Sequence, residues 1–122
     1  MALRLIGEQP WLDLQDQDAA QRARYHAACA LASNHLAVLF EASRVTLTGQ
    51  GHPAATVEQA LAVLMRSALE NLLALGVPRG VTGPVARGDM DAVARHVAAL
   101  AGPAGELYAL LSAQLAEMLA AR

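Results

Sequence analysis

The run TVEQALAVLMRSALENLLAL, from Thr56 to Leu75, decides the fold class. Val57, Leu61, Leu64, Ala68, Leu72 and Leu75 recur in steps of three and four residues, the spacing that lines one face of an α-helix. Thr56 and Gln59 fit a capping box, in which each side chain satisfies an orphan backbone donor at the helix start. Gly76 and Pro78 then stop the helix.

The same punctuation holds on both sides of this run. Upstream, one long helix is expected from about Asp18 to Thr48, ended by Gly49 and Gly51. Its centre is apolar almost all round, which marks a helix surrounded by others. Downstream, Asp89 is a good N-cap for a third helix with Val93, Val97 and Leu100 as its buried stripe. Asp91 and Arg95 are spaced for an ion pair on its outer side. Gly102-Pro103 breaks the chain, and Pro103 suits the first position of a last helix reaching about Ala120. Leu107, Leu111, Leu115 and Met118 form the apolar face of that helix.

Composition agrees. The 122 residues include 28 Ala and 20 Leu, the strongest helix formers, and only four aromatics: Trp11, Tyr25, Phe40 and Tyr108. Hydrophobic residues make up 55% and charged residues 16%, which argues against disorder. The expected fold is an all-α single helical bundle of about four main helices, the first of them long. Residues 16–122 form this domain. Residues 1–15 are irregular, with a strand expected around Trp11–Leu14 that has nothing within the bundle to pair with.

The net charge of −2 argues against a nucleic-acid partner. The longest strongly apolar stretch, Ala27–Phe40, is interrupted by Ser33, Asn34 and His35, and is shorter than the roughly 20 residues a bilayer span needs. Cys29 is the one cysteine, so no intramolecular disulfide forms. These features suggest a cytoplasmic protein with no membrane attachment, and Cys29 reads as a small core residue. All nine basic residues are Arg, which excludes any mechanism needing a lysine amine within this chain.

Two regions could carry chemistry. On the first helix Arg22, His26, Ser33 and Arg44 project within about 40° of one another at 100° per residue, with Asn34 and Glu41 on a flank. One reading has His26, Ser33 and Asn34 lining a cleft; the other has them as polar groups bonded to backbone or to neighbouring helices. The second region is the long connection 76–89, with four glycines, two prolines and Arg79 and Arg87 ahead of a helix N-terminus. It is either an anion-facing loop or a structural crossover. His26, His35, His52 and His96 lack paired helical spacing, so no metal site is expected. No dinucleotide or phosphate-loop glycine motif is present.

Tyr25–Asn34 (YHAACALASN), Leu69–Leu72 (LENL) and Val81–Asp89 (VTGPVARGD) together resemble one family. It is the C-terminal helical domain, known as domain of unknown function 2520, of bacterial Rossmann-like oxidoreductases. That domain is similar to the C-terminal domains of pyrroline-carboxylate and ketopantoate reductases and of 6-phosphogluconate-dehydrogenase-like enzymes. The resemblance runs from about Asp16 to Met118, and T-G-P-x-x-R-G-D is its most specific part.

The resemblance implies a substrate-side and dimerisation domain of an NAD(P)-dependent oxidoreductase acting on a small-molecule substrate. The dinucleotide comes from a preceding Rossmann domain absent from this sequence, so the chain alone is expected to bind no cofactor. Residues 1–15 then read as the tail of that missing domain. His26, Ser33 and Asn34 are the implied catalytic residues, and Thr82, Gly83, Arg87 and Asp89 the implied substrate-binding residues. Arg87 either holds a substrate carboxylate, pairs with Asp89 or caps a helix end. Related hydroxyacid dehydrogenases carry Lys-x-x-x-Asn on this helix; with Asn34 in the asparagine slot, Ala30 stands in the lysine slot. His26, one turn earlier, is the nearest titratable substitute. Homodimerisation through helical faces is expected because the helices carry more apolar surface than a small bundle hides. The competing expectation is a non-enzymatic helical dimerisation or interaction module.

Overall fold

Asp18 opens the first helix by accepting the backbone N–H of Gln21 at 2.7 Å, while the Gln21 side chain takes the Asp18 N–H at 2.8 Å. This reciprocal capping box starts α1, Ala19–Ala32. In the computed structural model, which describes Leu12 and residues 14–121, five further helices follow. They are α2 (Asn34–Gly49), α3 (Ala54–Leu75), α4 (Pro84–Arg87), α5 (Met90–Ala99) and α6 (Pro103–Ala120). The described residues are all-helical with no strand. The strand expected around Trp11–Leu14, and most of the expected remnant 1–15, lie outside the described residues.

The chain divides into two compact units, Met1–Val38 and Leu39–Arg122. In the first, the helix expected to run unbroken from Asp18 to Thr48 is interrupted at Ser33. Ser33 adopts φ −124° and ψ −67°, and both its N–H (3.0 Å) and its hydroxyl (2.6 Å) go to the Cys29 carbonyl. Ser and Asn compete with helical backbone bonding through their own side chains, so Ser33-Asn34 is a natural place for the break. The helix expected to be surrounded by others buries none of its residues, and Cys29 is exposed where a core position was expected. Apolar periodicity reports a face able to be covered without specifying what covers it.

In the second unit α4, α5 and α6 pack on one another, and the buried apolar side chains are Val57 and Leu61 of α3 with Ala92 and Val93 of α5. The start of α3 differs from expectation. It begins at Ala54 with Pro53 as N-cap and no side-chain cap; Pro53, its φ fixed at −61° by the ring and its ψ at 135°, is the last non-helical residue, one turn before Thr56. The expected face of α3 is buried only over its first half; Leu64, Leu72 and Leu75 are exposed.

Two glycines set close approaches. A Cβ on Gly80 would stand 2.6 Å from the Asn71 carbonyl oxygen, where the connection folds back on the end of α3. One on Gly105 would stand 2.8 Å from the Leu100 oxygen, where α6 leaves the end of α5. Pro103 opens α6 as expected. The Asp91–Arg95 ion pair does not form; among the described residues the ion pair is Glu41–Arg44. No described helix is long and apolar enough to cross a membrane.

Candidate functional site

The connection 76–89 is shaped by its glycines and prolines. Gly76 ends α3 at φ 68°, donating its N–H to Leu72. Gly83, at φ 95°, precedes α4, and Pro84 is the first residue of that short helix. Gly88 closes α4 in the left-handed conformation, φ 72°, which a glycine adopts without a Cβ penalty. Asp89 then starts α5 by accepting the Ala92 N–H at 3.0 Å. The T-G-P-x-x-R-G-D block is therefore the punctuation of a one-turn helix between α3 and α5. Sequence reading treated the stretch as loop throughout and missed α4, whose four residues are too short to show periodicity.

Of the four residues expected to bind substrate, Thr82 borders a cavity, Gly83 and Asp89 sit at helix starts, and Arg87 is exposed in the last turn of α4. Arg87 forms no ion pair with Asp89, whose carboxylate is engaged by α5.

His26, Ser33 and Asn34 belong to the first unit, and all three are exposed. Ser33 Oγ and Asn34 Oδ1 lie 3.2 Å apart. The serine has one proton, and the shorter contact, 2.6 Å to the Cys29 carbonyl, takes it. That proton is engaged in ending α1. The His26 ring meets Tyr25 edge to face at 5.3 Å. The Cys29 side chain, one turn along, raises the Tyr25 phenol above its ordinary pKa.

The second unit contains a cavity of about 800 Å³, within the range of small-molecule sites. Thr82, Pro84 and Val85 form one side of it, Leu39, Ala42 and Leu47 of α2 another. Leu107, Leu111 and Leu115 of α6 line it as well, so the expected apolar face of α6 fronts the cavity. Besides the hydroxyls of Ser43, Thr46, Thr82 and Ser112, it is lined by a polar pair that sequence reading missed. His96 Nδ1 of α5 and the Tyr108 hydroxyl of α6 lie 2.7 Å apart, with rings edge to face at 5.7 Å. The pair spans the Gly102-Pro103 break, and only its placement twelve residues apart on either side of that turn hinted at a meeting. No three His, Cys, Asp or Glu side chains come together as metal ligands among the described residues.

A sequence family described as Domain of unknown function (DUF2520) matches residues 11–115. No curated protein and no solved structure matches the chain.

Proposed function

The chain belongs to the DUF2520 family, and from that premise we propose that it is the substrate-side and dimerisation domain of an NAD(P)-dependent oxidoreductase. The observation that carries this reading is the apolar cavity of the second unit, bordered by Thr82, Pro84 and Val85 of the T-G-P block. Pockets with apolar walls and few polar groups suit small-molecule substrates. The cofactor is supplied by a dinucleotide-binding domain, and His26 and Asn34, with Ser33 setting the helix break between them, act in catalysis. Arg87 is exposed, has no ion-pair partner in the described residues and stands outside the lining of this cavity, so the substrate held there needs no carboxylate. The protein is cytoplasmic and works as a homodimer.

A second reading, a non-enzymatic helical dimerisation or interaction module, draws on the exposed apolar side chains of α3. Val63, Leu64, Leu69 and Leu73 are each more than half exposed, which favours a partner surface.

The test joins this chain to the protein encoded immediately upstream of it. The oxidoreductase reading expects a strand followed by G-x-G-x-x-G there, bound dinucleotide, and NAD(P)H oxidation with some member of a panel of carbonyl and imine compounds. His26→Ala then loses turnover and keeps dinucleotide binding; unchanged turnover removes His26 from the mechanism. An upstream stop codon with no such motif favours the interaction module. Light scattering that finds a monomer at micromolar concentration counts against dimerisation on either reading.

A further inference from the structure

We propose that the second-unit cavity binds a neutral, mainly apolar small molecule whose carbonyl or hydroxyl oxygen is held by the His96–Tyr108 pair. Its wall carries no Asp, Glu, Lys or Arg among the described residues. A charged ligand group would meet no side chain of opposite charge on this wall, while an apolar body is matched by it. The α2 side of the wall is less polar than its residue types suggest. Ser43 donates its hydroxyl proton to the Leu39 carbonyl and Thr46 to that of Ala42, both at 2.8 Å, so neither has a proton for a ligand. Thr82 and Ser112 carry the remaining hydroxyls.

The His96–Tyr108 pair behaves differently because it has two protons and one internal hydrogen bond. If the tyrosine donates to Nδ1, the imidazole Nε2–H points outward as donor and the phenol oxygen keeps a lone pair. If Nδ1–H donates to the phenol oxygen, the tyrosine O–H is the outward donor and Nε2 the acceptor. In either tautomer of the neutral ring one donor and one acceptor remain. A carbonyl oxygen uses the donor, and a hydroxyl uses both. A helix of a second copy laid into the cavity would cover that donor with apolar side chains unless it brought an acceptor to the same point. A small molecule with one oxygen on an apolar body satisfies wall and pair together. Its being the molecule oxidised or reduced rests on the oxidoreductase reading; its binding does not.

The experiment uses the 122-residue chain without nucleotide. The probe is the neutral aryl ketone 6-propionyl-2-dimethylaminonaphthalene, whose emission moves to the blue in an apolar site, compared with 2-dimethylaminonaphthalene, which lacks the carbonyl. Saturable binding of the ketone is expected. The double variant His96→Leu/Tyr108→Phe weakens it about fivefold, the scale of one net hydrogen bond, and changes binding of the ring without a carbonyl less than about twofold. The two single variants identify which partner donates outward. Leu107→Trp narrows the cavity beside the pair and weakens binding of both probes, with helicity by circular dichroism retained.

Absence of saturable binding overturns the proposal. So does equal weakening of both probes in the double variant, or ketone affinity unchanged by Leu107→Trp. A dimer that binds no ketone overturns it in favour of a second copy as occupant. A protein joined to its dinucleotide domain that turns nothing over, while ketone binding persists, removes the oxidoreductase reading and leaves this site standing.

Discussion

Helices α1 and α5 each start on an aspartate whose carboxylate takes a backbone N–H three residues on, Asp18 from Gln21 at 2.7 Å and Asp89 from Ala92 at 3.0 Å. The α1 cap is the more complete of the two, since Gln21 returns a bond to the Asp18 N–H. Yet α1 buries none of its residues, while α5, four residues shorter, buries Ala92 and Val93 and packs against α4 and α6. Capping fixes where a helix begins because it satisfies orphan donors within one turn. What covers the helix depends on partners distant in sequence, and local bonding carries no information about them.

The largest expected effect tests whether that contrast persists in solution. Leu61, 5% exposed, should lose about 2–5 kcal/mol of stability on replacement by Ala, through lost burial and the cavity left behind. Leu31 of α1, 66% exposed, should lose no more than about 0.5 kcal/mol on the same change. Urea unfolding of both variants measures the difference. A comparable loss at Leu31 would mean that α1 is covered in solution, and would remove the contrast.

Next in size is Gly105→Ala in α6. Helix propensity alone favours alanine by about 1 kcal/mol. The added Cβ would meet the Leu100 carbonyl oxygen at 2.8 Å, and backbone cannot give way as a flexible side chain can. A net loss of about 1–3 kcal/mol is expected, read as a lower melting temperature. A gain in stability would show that the approach of α6 to the end of α5 is looser than this geometry.

Removing the two caps sharpens the comparison directly. Asp89→Ala should cost about 1 kcal/mol in the cooperative transition, because α5 belongs to the packed core. Asp18→Ala should speed amide exchange in the first turns of α1 and leave the midpoint of the second unit unchanged, since exposed helices open locally. Equal shifts of the global midpoint would show that α1 unfolds together with α5.

The smallest effect concerns the Glu41–Arg44 pair of α2, with Glu41 exposed and Arg44 half-buried. The Arg44 guanidinium donates to both Glu41 carboxylate oxygens, at 2.8 and 2.6 Å, and holds the carboxyl below its ordinary pKa. A carboxyl depressed in the folded state adds stability above its unfolded pKa and loses it as pH falls through the folded one. Screening by solvent keeps that contribution slight. An NMR titration should place the Glu41 midpoint below the usual glutamate range, and Arg44→Met should return it there. A midpoint unchanged in Arg44→Met would remove the pair as the cause.

Much of the fold was legible because its signals are local. Asp89 and Pro103 opened α5 and α6 as read, and Gly76 closed α3. The misread points are places where two local signals compete. Thr56 and Gln59 offered a good cap, but Pro53 stood one turn earlier with its backbone already extended, and the helix began there. Ser33 sat inside an apolar run long enough to read as one helix, and its hydroxyl instead closed α1 on the Cys29 carbonyl.

The site was legible in a different measure. Residues 76–89 stood out by their glycines and prolines, and Thr82 does border the cavity. His96 was passed over because it lacked helical ligand spacing, and Tyr108 stood out only as one of four aromatics. Their meeting at 2.7 Å needs α5 and α6 turned against each other.

The amino-acid order by itself determined that this chain is helical, where α1, α5 and α6 start and α3 stops, and that it carries no lysine. Those properties follow from bonds and torsions within a few residues. Tertiary structure decided which apolar faces are buried, that the α6 stripe fronts a cavity, and that a histidine and a tyrosine twelve residues apart share a hydrogen bond. Each of those depends on where one helix lies against another, and helical periodicity specifies a face without specifying its partner.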